Sequence, residues 1–131
     1  MNFSEIDNTL VCSFSERLDG STCSTLEPEL LRCTAMFKEN KKNARLVFDL
    51  REVTFISSVF LRLCLIHHKS FEKGCFAITN VSEEVFKVFS VSGFTEIMNV
   101  TLNDLAVPQP LALLEQCEAV DDTLPITVQS T

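Results

Sequence analysis

The feature that most limits what this chain can become is a continuous apolar run, Leu46-Val-Phe48, closed by Asp49 and Leu50. A run without alternation predicts a strand covered on both faces, the kind found in parallel sheets. Its flanks have helical spacing. Upstream, Leu26, Leu30, Cys33 and Phe37 recur at intervals of four, three and four, one buried stripe of a helix. Ser24-Thr-Leu-Glu27 reads as its capping box, and Pro28 is tolerable only in a first turn. Downstream, Ser57 or Ser58 opens a second helix, apolar nearly all round through Leu65, that runs to about Lys73 and stops at Gly74.

The same alternation continues on both sides. Phe3–Ile6 and Leu10–Phe14 are β-prone and separated by Asp7-Asn8, a pair suited to a tight hairpin. Glu16 to Thr25 reads as a polar connection. Cys75–Thr79 predicts another strand, and Asn80-Val-Ser-Glu83 caps a third helix with Val85, Val88 and Phe89 inward and Gly93 as its C′ residue. Ile97–Val100 predicts a last strand, and Thr101–Glu115 a weaker helix broken by Pro108 and Pro110. The order β-β-α-β-α-β-α-β-α implies an α/β fold: a single open, mostly parallel sheet with one antiparallel edge strand and about four helices. Residues 1–118 read as the domain and 119–131 as a flexible acidic tail, with Leu124–Val128 alternatively an extra edge strand.

At 131 residues, 46% hydrophobic and 22% charged, the chain suits one domain with a real core. Its eleven phenylalanines, without Trp or Tyr, make that core strongly apolar. The net charge of −7 is unevenly placed, because no base follows Lys87 while six acids do. Such a field disfavours nucleic acid and anionic lipid as partners. Six cysteines show no CxxC or other ligand spacing and sit in apolar stretches, so they read as buried small side chains; no metal and no cofactor is expected. The longest apolar run, Val59 to Ile66, is too short to span a membrane and is broken by Arg62. With no signal-peptide pattern at the N-terminus, a cytoplasmic location is expected.

In an open parallel sheet, sites gather at the carboxyl ends of the strands, here Leu18–Cys23, Arg51–Ser58 and Asn80–Glu84. The Arg51–Ser58 stretch puts two hydroxyls at the mouth of the second helix. A helix N-terminus carries unpaired N–H groups and about half a positive charge, so it accepts a phosphate well. A phosphate on Ser58 would add about −1.5 to −2 charges and change the surface without melting the helix. The plainer reading is that serine is a preferred N-cap and nothing more. His67-His68 point about 100° apart on a helix and so do not share a metal; one should be partly packed and the other exposed. A serine nucleophile lacks a Gly-x-Ser-x-Gly elbow and a base, and Gly20, Gly74 and Gly93 form no phosphate loop, which argues against an enzyme. Of Phe76, Phe86, Phe89 and Phe94 around the third helix, any that is exposed becomes a candidate partner contact.

Leu46-Val-Phe-Asp-Leu50, then Val53-Thr-Phe-Ile-Ser-Ser58, then Leu61-Arg62, resembles the signature of STAS domains, particularly the anti-sigma factor antagonists. Arg17-Leu-Asp19 is similar to the family's Leu-Asp element, and Asn80–Val85 through Ser92-Gly-Phe94 resembles its third-helix segment; together the match covers roughly residues 3 to 100. The resemblance implies a partner-switching module. It would bind an anti-sigma factor that is also a serine kinase, and phosphorylation of Ser58 would dissociate the pair. It also admits a homodimer. The partner-binding residues it implies are Asp19, Thr54, Ser57, Ser58, Phe60 and Arg62. Two positions depart from the pattern: Ser57 stands where the family has Asp, and Phe60 where it has Gly, placing a large ring where a partner's backbone would approach. The alternative is a phosphorylation-independent STAS scaffold subunit of a signalling or transport assembly.

Overall fold

Residues 1–103 are described by the structure, a computed structural model. The two-residue Asp7-Asn8 connection, with Asp7 at φ 53, folds β1 (Asn2–Ile6) back on β2 (Thr9–Leu18) so that Ile6 faces Thr9 across an antiparallel ladder. Every later strand is reached through a helix: α1 (Gly20–Asn40), β3 (Arg45–Ile56), α2 (Ser58–Ser70), β4 (Phe76–Val81), α3 (Glu83–Val91) and, after one 3-10 turn at Phe94–Glu96, β5 (Asn99–Leu102). The sheet order is β1-β2-β3-β4-β5, with the last three pairings parallel. The expected α/β architecture is therefore present, with three helices among the described residues.

The order has a geometric consequence. Each crossover steps one strand over in the same direction, and right-handed crossovers that never reverse put their helices on one face. The packing agrees. Leu10, Cys12 and Phe14 of β2, Leu46 and Phe48 of β3, and Phe76 and Ile78 of β4 join α1, α2 and α3 in one core through Leu30, Leu63 and Phe89. The alternate strand residues Val11, Val47 and Ala77 point the other way and form a separate small cluster.

Several boundaries differ from the sequence reading. Helix α1 begins at Gly20, because Asp19 takes the N-cap and its Oδ1 accepts from the Thr22 N–H at 2.9 Å. Ser24 is thus inside the helix and caps nothing. Pro28 also lies inside, where it withholds an N–H from the Ser24 carbonyl; both residues are exposed, so solvent can serve that oxygen. Strands β2 and β3 run well beyond Phe14 and Leu50, as two bulged stretches of their ladder. Helix α2 stops at Ser70 with the Phe71 N–H on the His67 carbonyl, and Gly74 (φ 83) serves the following turn. Ser82, not Asn80, caps α3, while Gly93 at φ 82 ends that region as expected. Thr101 and Leu102 extend β5 and do not open a helix. The rest of the expected Thr101–Glu115 helix, and the 119–131 tail, lie outside the described residues.

A candidate partner-docking edge

The edge is built where β2 and β3 outrun their outer neighbours. β1 reaches only to Ser13, and β4 pairs β3 only through Asp49, so Ser15–Leu18 and Glu52–Ile56 continue as a two-stranded parallel ribbon. Two extra residues on the β3 side shift its register, the second at Thr54. Glu16, at φ 61, turns its carbonyl to accept from the Thr54 hydroxyl at 3.3 Å. The shift also breaks the in–out alternation of Val53-Thr-Phe-Ile56. Val53 and Ile56 stay in the core, while Phe55 is 38% exposed with the Arg17 guanidinium 4.2 Å from its ring centroid. Asp49 braces the ribbon's base by accepting from the Arg51 N–H at 3.1 Å and from the Asn80 amide at 3.0 Å.

At the ribbon's tip, two helices start side by side. The Leu18 carbonyl accepts from the Ser57 N–H at 3.0 Å and the Ser57 hydroxyl at 2.8 Å, with the Cys23 thiol at 3.6 Å. The Ser57 oxygen in turn accepts from the Phe60 N–H at 3.4 Å, which makes it the N-cap of α2. Ser57 therefore has an internal task and is only half exposed. Ser58, the first residue of α2, is exposed, with no acid in the helix's first turn. Arg62 follows one turn later on the same side of α2, its guanidinium 3.4 Å from Glu27 of α1. Asp19 lies across the Leu18 junction, its carboxyl held below the usual range chiefly by the Thr22 N–H it accepts from.

Five of the six expected contact residues thus share one edge: Asp19, Thr54, Ser57, Ser58 and Arg62. Phe60 does not belong with them. It is 0% exposed, in edge-to-face contact with Phe14 at 5.3 Å between centroids and 6.0 Å from Phe48. A helix so apolar still has one side that faces the sheet, and the third residue of α2 falls on it. Its ring lies in the core and not on the surface of this edge. Phe55 is the surface aromatic that sequence reasoning overlooked, since its exposure follows from a bulge set by the neighbouring strand.

Other expectations resolve in the same terms. His67 is 1% exposed, with Nδ1 2.8 Å from the Leu63 carbonyl and Nε2 3.2 Å from the Thr34 hydroxyl, and His68 is half-buried near Phe76, so neither is exposed. Phe76 and Phe89 are buried and Phe86 and Phe94 half-buried; the apolar side chains that α3 exposes are Val91 and Val88, the latter expected to face inward. Burial pushes the thiols of Cys12, Cys23 and Cys64 up, which keeps them in the unreactive protonated form. Among the described residues, no group of three or more His, Cys, Asp or Glu is placed to hold a metal ion. No helix among them is long and apolar enough to cross a membrane.

A mostly parallel sheet with its described helices on one face, and a serine-capped helix opening at its carboxyl edge, define a class. Residues 1–105 match the family model of the STAS domain, and the chain belongs to that family. Among solved structures it is similar to a chain from the molecular architecture of the stressosome, a signal integration and transduction hub, at 16% identity and a TM-score of 0.58. That likeness covers 89% of this chain and 98% of the other, and shows a shared fold. No curated protein matches the chain.

Proposed function

We propose that this protein is a non-enzymatic partner switch of the anti-sigma factor antagonist type, docking a serine-kinase anti-sigma factor through the edge around Ser58. Phosphorylation of Ser58 then releases the partner. The observation that carries the reading is the division of labour between the two serines. Ser57 does the capping, so the Ser58 hydroxyl is left exposed with no structural duty. A phosphate there meets the positive end of α2, with Arg62 one turn away, and leaves the fold intact. What changes is the charge a partner meets beside Phe55, Thr54 and Asp19. The stressosome chain, part of a signal integration and transduction hub, supports a signalling role of this general kind.

One residue favours the alternative, a phosphorylation-independent STAS scaffold subunit. Ser57 supplies no carboxylate where relatives carry Asp, so a kinase loses that contact. The two readings part on the intact mass of protein isolated from its host, before and after phosphatase treatment. Loss of one phosphate, abolished in Ser58→Ala, is the switch result. Unmodified protein under every growth condition sampled leaves the scaffold.

A further inference from the structure

Strand β2 outruns β1 at the docking edge. The antiparallel ladder begins with Asn2 opposite Ser13, so among the described residues no strand lies on the outer side of Ser15–Leu18. The backbone there keeps a strand's hydrogen-bonding groups. The Glu16 carbonyl turns to the Thr54 hydroxyl and the Leu18 carbonyl to the Ser57 N–H, both on the β3 side. A trans peptide points its N–H opposite to its C=O, so the Arg17 N–H is directed outward. Strand alternation directs the Ser15 groups outward with it. Both residues are exposed.

A recess adjoins this free edge. Ser21, Thr22, Thr25, Leu26 and Glu29 share one side of α1, and with Met1 they line a cavity of about 400 Å³. Met1 precedes β1 and Ser21 follows closely on Leu18, so the cavity lies between the start of one strand and the end of the other. Glu29 in its wall and Glu16 on the ribbon are exposed, and neither is in an ion pair among the described residues.

We propose that β2 accepts an added strand here: an extended segment of a protein partner, antiparallel to Ser15–Leu18 on the line of β1, with a lysine or arginine opposite Glu16. The backbone selects an extended segment, because only a strand meets outward groups that repeat every second residue, about 6.8 Å apart. The recess and the charges select the basic side chain. Met1 packs on the helix side of the sheet, in register beyond Asn2 and therefore level with Phe14. The added residue opposite Glu16 stands two places further along, so its side chain turns to the same side, over the recess. There the stem of a long basic side chain lies against Met1 and Leu26, and its charge meets Glu16 and Glu29. The proposal rests on the reading that this edge docks a protein, and is independent of phosphorylation at Ser58.

The test is amide exchange by NMR on the full-length protein, first alone and then with the strand Thr-Val-Lys-Thr fused ahead of Met1, which sets its Lys opposite Glu16. The Ser15 and Arg17 amides should exchange freely in the parent and about tenfold more slowly in the fusion. A Glu in place of that Lys should remove most of the slowing. Amides already slow in the parent, unslowed in the Lys fusion, or slowed equally by the Glu strand overturn the proposal. The partner arm uses the cognate anti-sigma factor. Its complex with the parent should slow the same amides, and the fusion should bind it about tenfold more weakly or worse. A complex that leaves these amides fast, or a fusion that binds as the parent does, also overturns the proposal. If the parent forms no complex, the partner named above is wrong, and the amides of the fusion alone decide whether the slot takes a strand.

Discussion

Two neighbouring serines on this chain have opposite energetic roles. Removing the Ser57 hydroxyl takes away the α2 cap and a partly buried donor to the Leu18 carbonyl. Ser57→Ala should therefore cost about 0.5–2 kcal/mol in urea denaturation. Ser58→Ala touches neither bond and should stay within about 0.5 kcal/mol of the parent. His67 adds a pH term. The Leu63 carbonyl can only accept, so in the neutral ring Nδ1 carries the proton and Nε2 is an acceptor beside the Thr34 hydroxyl, whose single hydrogen is also directed at the Leu30 carbonyl at 2.9 Å. Burial holds the His67 pKa below its ordinary 6.5 in the folded state. The unfolded chain then binds the proton more tightly, so this contribution is present in full above pH 6.5 and is lost as pH falls from there through the lower folded value. Urea midpoints at pH 7.5 and 5.5 should fall in the parent and stay closer together in His67→Gln.

At the scale of the element, α1 shows what sequence spacing resolves and what it misses. The stripe Leu26, Leu30, Cys33 and Phe37 identified the helix, but its start was misplaced because two capping patterns compete there. Ser24-Thr-Leu-Glu27 matches the capping box, whereas Asp19 sits where the strand actually ends. The cost of the real choice is a proline in the interior. Pro28→Ala restores an N–H for the Ser24 carbonyl at an exposed site, and should stabilise the protein by about 1–3 kcal/mol. Part of that gain is offset by about 0.4–1 kcal/mol of freedom returned to the unfolded chain. Equilibrium unfolding of the single variant measures the balance. The ribbon was less legible still, since bulges depend on the partner strand and not on local propensity. Leu50 reads as the end of the strand and Arg51–Ser58 as a loop, yet β3 continues to Ile56. For the same reason the exposure of Phe55 could not be read from Val53-Thr-Phe-Ile56 alone.

For the whole molecule, element order was readable because apolar period and helix spacing alternate cleanly, and a parallel sheet follows from that alternation. Which helix face packs inward was not readable in α2, where apolar residues surround the axis; only the sheet decides that Phe60 is inside and Ser58 outside. Under the proposed function the molecule's response is separable from its stability. Ser58→Asp should leave the melting temperature within a few degrees of the parent, because the charge lies at a helix N-terminus. In a binding assay with the cognate anti-sigma factor, it should abolish the complex. A complex of unchanged affinity would remove Ser58 from the interface.

The ring of Phe60 has a consequence for how such a signal is transmitted. Wedged between Phe14 and Phe48, it pins the first turn of α2 to the sheet, where a glycine would have left that turn free to bend. A modification at the adjoining surface then has no hinge to drive. Whatever information this edge conveys is written as a fixed local field, to be read by direct touch, and it fades within about 8 Å at physiological salt.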